Sequence, residues 1–267
     1  MVFLSIIDAD QWDRQRRIRG WSQEAVENSK CAVLGAGALG NEVVKNLLQL
    51  GVRSISVVDY DKVVEANLNR CVFFSHADAE VAAEKAVALS REALKVNPSA
   101  QVTPVVRKVE ELPEKFFSEF DFIFSCLDNL GARLHANSHS YGKAVLIDGG
   151  TTGFSGKVQV VSSPSACLEC AVSSLDYEIL WKKYSCTGEL LDFIDPKMPA
   201  LSTTTSVIAG FQTNEFVKLV HKKTAAGEKQ FAFPSQDLVG KYFFYNGLTG
   251  VSQTFSLAKR AGCPVHA

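Results

Sequence analysis

The chain is expected to adopt an α/β fold in which a mostly parallel sheet, covered by helices on both faces, is extended by antiparallel strands. Three observations support this expectation. From Lys30 to Ile147 short apolar runs alternate with segments of helical period, the pattern of strands buried on both faces and joined by crossover helices. The first apolar run leads into CAVLGAGALG, where Gly35, Gly37 and Gly40 open a helix. Such a turn aims backbone N–H groups and a helix N-terminus at phosphate oxygens, so the parallel part reads as Rossmann-like. After Asp148 the pattern changes, and residues 153–161 alternate with period two as an antiparallel strand does.

Residues 8–29 are polar and carry Arg14, Arg16, Arg17 and Arg19, with Trp12, Ile18, Trp21 and Val26 as scattered apolar anchors; one or two helices are expected before the sheet. Residues 30–34 form an apolar strand, 39–50 a helix with apolar residues at helical spacing, and 54–58 a second strand. A helix over 82–96 is stopped by Asn97-Pro98, since proline excludes the helical conformation for its predecessor. Strands follow at 101–106 and 120–125, then a helix at 130–141 and a strand at 144–147. In the second half, an irregular stretch at 175–199 is expected to cross the nucleotide site, followed by a helix at 203–220 and short strands at 231–232, 242–245 and 251–255. Ligands of such sheets bind at the carboxyl ends of the strands, where the glycine turn, Asp59, Asp61 and Asp128 all fall.

The 267 residues suffice for one large α/β domain, and 46% apolar with 21% charged residues is ordinary for a globular protein. A net charge of −1 gives no bulk attraction to nucleic acid or to an anionic membrane. No apolar run approaches the ~20 residues that span a bilayer, and the start MVFLSIIDADQW lacks the basic region and cleavage site of a signal peptide. A cytoplasmic location is expected. There, seven cysteines point to metal or thiol chemistry rather than a disulfide framework.

The glycine turn alone also fits a dinucleotide dehydrogenase, with Asp59 or Asp61 on a ribose. The continuation DYDKVVEANLNR, with Asn69 and Arg70, and then Lys85, argues otherwise. A dehydrogenase has no need of arginine and lysine reaching back to the phosphates, whereas an enzyme that holds a triphosphate does; ATP is expected. The order GAGALG, DYDKVVEANLNR, Lys85, SCLDN (ending in Asp128 and Asn129), a CxxC pair and PALSTTTSVIAG resembles the ubiquitin-activating and sulfur-carrier-adenylating superfamily, the ThiF/MoeB-like proteins. The resemblance runs over nearly the whole chain and is greatest to the minimal, homodimeric activating enzymes for ubiquitin-like modifiers.

The resemblance implies a single adenylation domain over 1–267. It would comprise an N-terminal helical segment (1–29), a nucleotide-binding half (30–150) and a modifier-binding half (151–267) with a catalytic-cysteine segment at 175–199 and zinc-binding ends. The substrate would be a ubiquitin-like modifier ending in glycine, whose carboxylate attacks the α-phosphorus of ATP. Asp128 matches the family's magnesium-binding aspartate, and hard magnesium prefers carboxylate oxygen; the same residue could instead cap the following helix. Gly35, Gly37, Gly40, Asp59, Asp61, Asn69, Arg70, Lys85, Asp128 and Asn129 would hold the nucleotide, Arg70 and Lys85 also countering charge that builds on phosphate oxygens. Surface charge is the plainer reading of these cations. Many relatives carry glutamine after the arginine, where this chain has Cys71.

Arg14 resembles the arginine that relatives send from the N-terminal segment into the partner subunit's ATP site; otherwise it belongs to a solvated basic face. Cys167, Cys170, Cys263 and His266 form two pairs at a spacing suited to tetrahedral zinc, with histidine where relatives have a fourth cysteine; the alternative is free thiols. Cys186 lies in the interval where activating enzymes place their thioester-forming cysteine, next to a threonine and downstream of Lys182 and Lys183, or else is a packing residue. Cys31, Cys71 and Cys126 read as packing residues, and His135 and His139, one turn apart with no third ligand, as ordinary helix residues. Three functions remain open. The first is modifier activation with a thioester on Cys186 and transfer to a conjugating enzyme. The second is sulfur-carrier adenylation in which Cys186 has no covalent role. The third is a silent subunit paired with an active partner.

Overall fold

A computed structural model describes residues 10–172, 199–225 and 236–266. Two short helices come first, α1 (Asp13–Arg16) and α2 (Gln23–Glu27), the second capped by the Ser22 side chain. The parallel part follows as β1 (Lys30–Leu34), α3 (Ala38–Leu50), β2 (Ser54–Val58), α4 (His76–Glu80), α5 (Lys85–Val96), β3 (Gln101–Val105), β4 (Phe122–Ser125), α6 (Leu130–Ser140) and β5 (Val145–Thr152). The remainder is β6 (Ser155–Val161), the long α7 (Ser202–Ala225), β7 (Lys241–Asn246) and β8 (Val251–Ser256). The expected strand at 231–232 and all of 175–198 lie outside the described residues.

One eight-stranded sheet runs in the order β3-β2-β1-β4-β5-β6-β7-β8. The β3 to β5 pairings are parallel, and β5–β6, β6–β7 and β7–β8 are antiparallel. Strand alternation sorts apolar side chains to two faces, since successive residues of a strand point oppositely. Cys31 and Val33 of β1 join α3, α5 and α7 on one face, while Ala32 and Leu34 join α6 and Phe117 on the other. Phe216 of α7 closes the first face edge-on against Phe122 at 5.0 Å between ring centroids. The sheet order reverses direction between β1 and β4, and the crevice at that switch point opens at the carboxyl ends of the strands.

Two elements differ from expectation in ways that shape the site. The helix expected from residue 82 begins at Lys85. Ala82 has φ 48°, in the left-handed region, and the backbone after it runs beside residues 61–63, with Val63 N donating to Ala83 O at 2.7 Å and Lys85 N to Asp61 O at 2.9 Å. This tertiary pairing overrides the helical propensity of the alanines. Lys85 thereby becomes the first residue of α5. The strand expected to end at residue 147 continues to Thr152, because β5 pairs parallel with β4 only along its first half but antiparallel with β6 from Leu146 to its end.

Candidate nucleotide site and metal cluster

The glycine turn after β1 faces the loop after β4. Gly35 has φ +97°, and a Cβ there would stand 2.7 Å from the Cys126 carbonyl oxygen; one at Gly40 would stand 1.9 Å from that of Gly35. Gly37 precedes the first turn of α3 with extended backbone, and a Cβ on it would meet nothing within 4 Å. Two glycines therefore answer to packing, and the third leaves an open approach to the unpaired N–H groups of a helix N-terminus.

Asn41, fully buried, fixes the turn from behind. Its Nδ2 donates to the carbonyls of Ala36 (2.8 Å) and Gly37 (3.0 Å), and its Oδ1 accepts from Phe73 N (3.0 Å). It was not foreseen from sequence, although a polar residue on the apolar stripe of α3 is the signal that marks it.

Asp59 accepts from Ala36 N (2.7 Å) on one carboxylate oxygen and from Asp61 N (2.8 Å) on the other, tying β2 to the turn. Burial pushes its carboxyl up, opposed by the charge of Lys85. Lys85 Nζ donates to Asp61 at 2.8 Å; burial favours the neutral amine, but the charges of Asp59 and Asp61 outweigh it and hold the ammonium above its usual range. Arg70 bonds to the carbonyl of Ala66 and to Asn69 Oδ1 (2.9 Å), folded back on its own loop. The neighbouring Cys71 is buried, and burial lifts its thiol to about 11, in keeping with a packing role.

Asp128 is exposed at the carboxyl end of β4, and the helix cap belongs to Asn129, whose Oδ1 accepts from Ala132 N at 2.7 Å. Among the described residues no hydrogen bond or ion pair engages the Asp128 carboxylate. Tyr60, between the two acids that follow β2, was also not foreseen. It is exposed, with Lys108 Nζ 5.3 Å from its ring centroid, and its phenol is pushed up by burial and by the charges of Asp61, Asp128 and Asp59. The switch point thus gathers an open helix N-terminus, two cations and three carboxylates. A free carboxylate beside an open phosphate cradle fits magnesium on a triphosphate.

Arg14 is exposed on α1 but elsewhere. Gln15 Nε2 donates to Leu50 O at 2.8 Å, which fixes α1 to the C-terminal end of α3. The thirteen residues of α3 put that end about 20 Å from the glycine turn. Cys186 lies outside the described residues.

Cys167, Cys170, Cys263 and His266 come together, with ligand atoms all within 4.8 Å of one another. Cys167 Sγ is 3.8 Å from Cys170 Sγ and 3.6 Å from Cys263 Sγ, and Cys170 Sγ is 3.0 Å from His266 Nε2. Tetrahedral zinc with bonds of ~2.3 Å would separate its sulfurs by ~3.8 Å, so the donor set fits. Burial raises the Cys170 thiol, but N–H donors from Arg260 and Cys167 and the His266 ring prevail and bring it to about 7. Asn137 accepts from Leu168 N at 3.0 Å, and its Nδ2 has no nitrogen or oxygen partner beside Cys167, where it can donate to a thiolate. His135 and His139 stack at 4.0 Å against Phe117, and no third ligand joins them among the described residues.

Residues 11–265 match the model of the ThiF family. The NEDD8-activating enzyme E1 catalytic subunit of Schizosaccharomyces pombe is 33% identical over 159 residues, covering 57% of this chain and 35% of that protein. SUMO-activating enzyme subunit 2 of Dictyostelium discoideum is 32% identical over 151 residues, covering 55% of this chain and 22% of that protein. The matches thus span well under half the length of these relatives. A crystal structure of E. coli MccB with MccA shares the fold at a TM-score of 0.75 with 18% identity, covering 97% of this chain and 74% of the other. No helix among the described residues is long and apolar enough to cross a membrane.

Proposed function

The chain belongs to the ThiF family, and on that premise we propose that it adenylates the C-terminal glycine of a ubiquitin-like modifier and then takes the modifier as a thioester on Cys186. The observation that supports the reading most is the unengaged Asp128 carboxylate at the carboxyl end of β4, the strand beside the one that leads into the open glycine turn, with Lys85 tied to that turn through Asp61 and Asp59. ATP would lie with its phosphates on the N–H groups after Gly37 and its ribose toward Asp59 and Asp61. Magnesium held by Asp128 would neutralise triphosphate charge. An oxygen of the modifier's carboxylate bonds to the α-phosphorus as the bond to the pyrophosphate oxygen breaks, giving acyl-adenylate and pyrophosphate. Lys85, released from Asp61, and Arg70, swung out from Ala66 and Asn69, would meet the charge that builds on phosphate oxygens. The Cys186 thiolate would then bond to the acyl carbon with AMP leaving, before transfer to a conjugating enzyme. Zinc on Cys167, Cys170, Cys263 and His266 would be structural.

The test is modifier-dependent exchange of labelled pyrophosphate into ATP. Asp128→Ala or Arg70→Ala should lower it by ~10²–10³, and wild-type-like exchange in both would remove them from the site. Cys186→Ala should keep exchange but lose the modifier adduct that reducing agent cleaves. Exchange without any such adduct in the wild type favours the sulfur-carrier reading.

A further inference from the structure

Asp128 stands on an exposed loop without a hydrogen bond of its own among the described residues, yet a magnesium ligand must be held to a fraction of an ångström. A buried ion pair joins the elements that flank this loop. Asp148, fully buried near the middle of β5, receives Arg133 Nε on Oδ1 at 2.8 Å and Arg133 Nη2 on Oδ2, and Ser125 Oγ also donates to Oδ1 at 2.8 Å. Ser125 is three residues before Asp128 and Arg133 five residues after it, so a single carboxylate grips both ends of the loop. From the other face of the sheet, Gln212 of α7 donates Nε2 to the carbonyls of Ile147 (2.9 Å) and Ser125 (3.3 Å), tying the end of β4 to the neighbouring level of β5. Gly150 of β5 makes room for the pair: a Cβ there would stand 3.2 Å from the Arg133 guanidinium, which lies over the bare backbone of the glycine. Asp148 outweighs the burial of Arg133 and keeps the guanidinium firmly charged.

The geometry points to Asp148, acting through Arg133 and Ser125, as a positioning residue that sets the loop presenting Asp128 to magnesium-bound ATP. This rests on the adenylation reading. Neither Asp148 nor Arg133 need touch the nucleotide; the bidentate fork converts the relative placement of β4, β5 and α6 into the placement of one carboxylate.

The experiment compares wild type with Arg133→Lys, Asp148→Asn and Ser125→Ala, each alone and on an Asp128→Ala background. Calorimetry of α,β-methylene-ATP binding at graded magnesium reads the concentration for half-maximal binding, and the unfolding midpoint is recorded in parallel. Losing a support behind a metal ligand typically costs ~10–100-fold in metal affinity, so Arg133→Lys and Asp148→Asn should raise the magnesium requirement by that factor, with analogue affinity recovering at saturating magnesium. The shift should vanish on the Asp128→Ala background, because the network acts only through that carboxylate. Ser125→Ala, which removes one hydroxyl, should show a smaller shift in the same direction and carries the test if the charge-pair variants fail to fold. Lowered unfolding midpoints with an unchanged magnesium requirement, or a shift that persists without Asp128, would overturn the proposal. A wild-type protein that binds no magnesium–analogue complex would instead defeat the adenylation reading.

Discussion

At the scale of single residues, the glycine turn separates packing from ligand approach, and substitution can tell them apart. Gly40→Ala would drive a methyl into the Gly35 carbonyl at 1.9 Å, whereas Gly37→Ala meets nothing within 4 Å and asks for no positive φ. Gly37→Ala should therefore keep the unfolding midpoint within a degree or two, since glycine and alanine differ by roughly 1 kcal/mol at a cap, yet raise KM for ATP several-fold by filling the phosphate approach. Gly40→Ala should lose several degrees of stability. Equal effects of both on stability, with no effect of Gly37→Ala on KM, would contradict this division. The placement of the glycine turn, Asp59, Asp61 and Asp128 at the carboxyl ends of the strands was legible in the sequence, because these residues directly follow short apolar runs. Asn41, Arg133 and Asp148 were not, because each bonds to a group outside its own element, 15 to 32 residues away. The expected alternative of Asp128 as a helix cap gives way to Asn129, one residue later, whose side-chain oxygen has the better reach to the first turn.

At the scale of elements, strand and helix periodicity located the sheet closely, and the misses mark tertiary pairing. The alanines at 82 and 83 promise helix but lie beside residues 61–63, and no local rule reports that. The N-terminal helices are a second case: their attachment is a long-range bond. His221 Nδ1 donates to Val217 O at 2.7 Å, leaving Nε2 to accept from Ser22 N at 2.8 Å, the N-cap residue of α2. Burial lowers the His221 pKa from 6.5. A base depressed in the folded state contributes stability that is complete above its unfolded value and lost as pH falls through its folded one, so stability should decline from pH 6.5 downward. His221→Phe should cost about 1–3 kcal/mol at pH 7, from the orphaned Ser22 N–H, but show a shallower fall in unfolding midpoint between pH 7 and pH 5. A wild-type slope retained in the variant would assign the acid sensitivity elsewhere.

At the scale of the whole molecule, two features bear on assembly. The Cys167, Cys170, Cys263 and His266 cluster brings residues near the C-terminal end of the described chain to the turn after β6, so a metal bound there would add to folding stability. About one zinc per chain should be found in untreated protein, and chelation should lower the unfolding midpoint; metal-free protein of unchanged stability would argue for simple thiols. The second feature is the separation of Arg14 from the nucleotide site. The bond of Gln15 to Leu50 holds α1 at the far end of α3, about 20 Å from the glycine turn. An arginine so placed cannot serve its own site, so if Arg14 acts on ATP it does so across a dimer. Arg14→Ala and Asp128→Ala should each be nearly inactive in pyrophosphate exchange. In a mixed dimer, the site that keeps Asp128 belongs to the Arg14→Ala subunit and receives an intact Arg14 from its partner. Random exchange of equal amounts then restores about a quarter of wild-type activity, half the dimers being mixed and each having one complete site. If Arg14 worked within its own chain, no pairing would complete a site and mixing would restore nothing. A monomer at micromolar concentration with full exchange activity would exclude the shared site altogether.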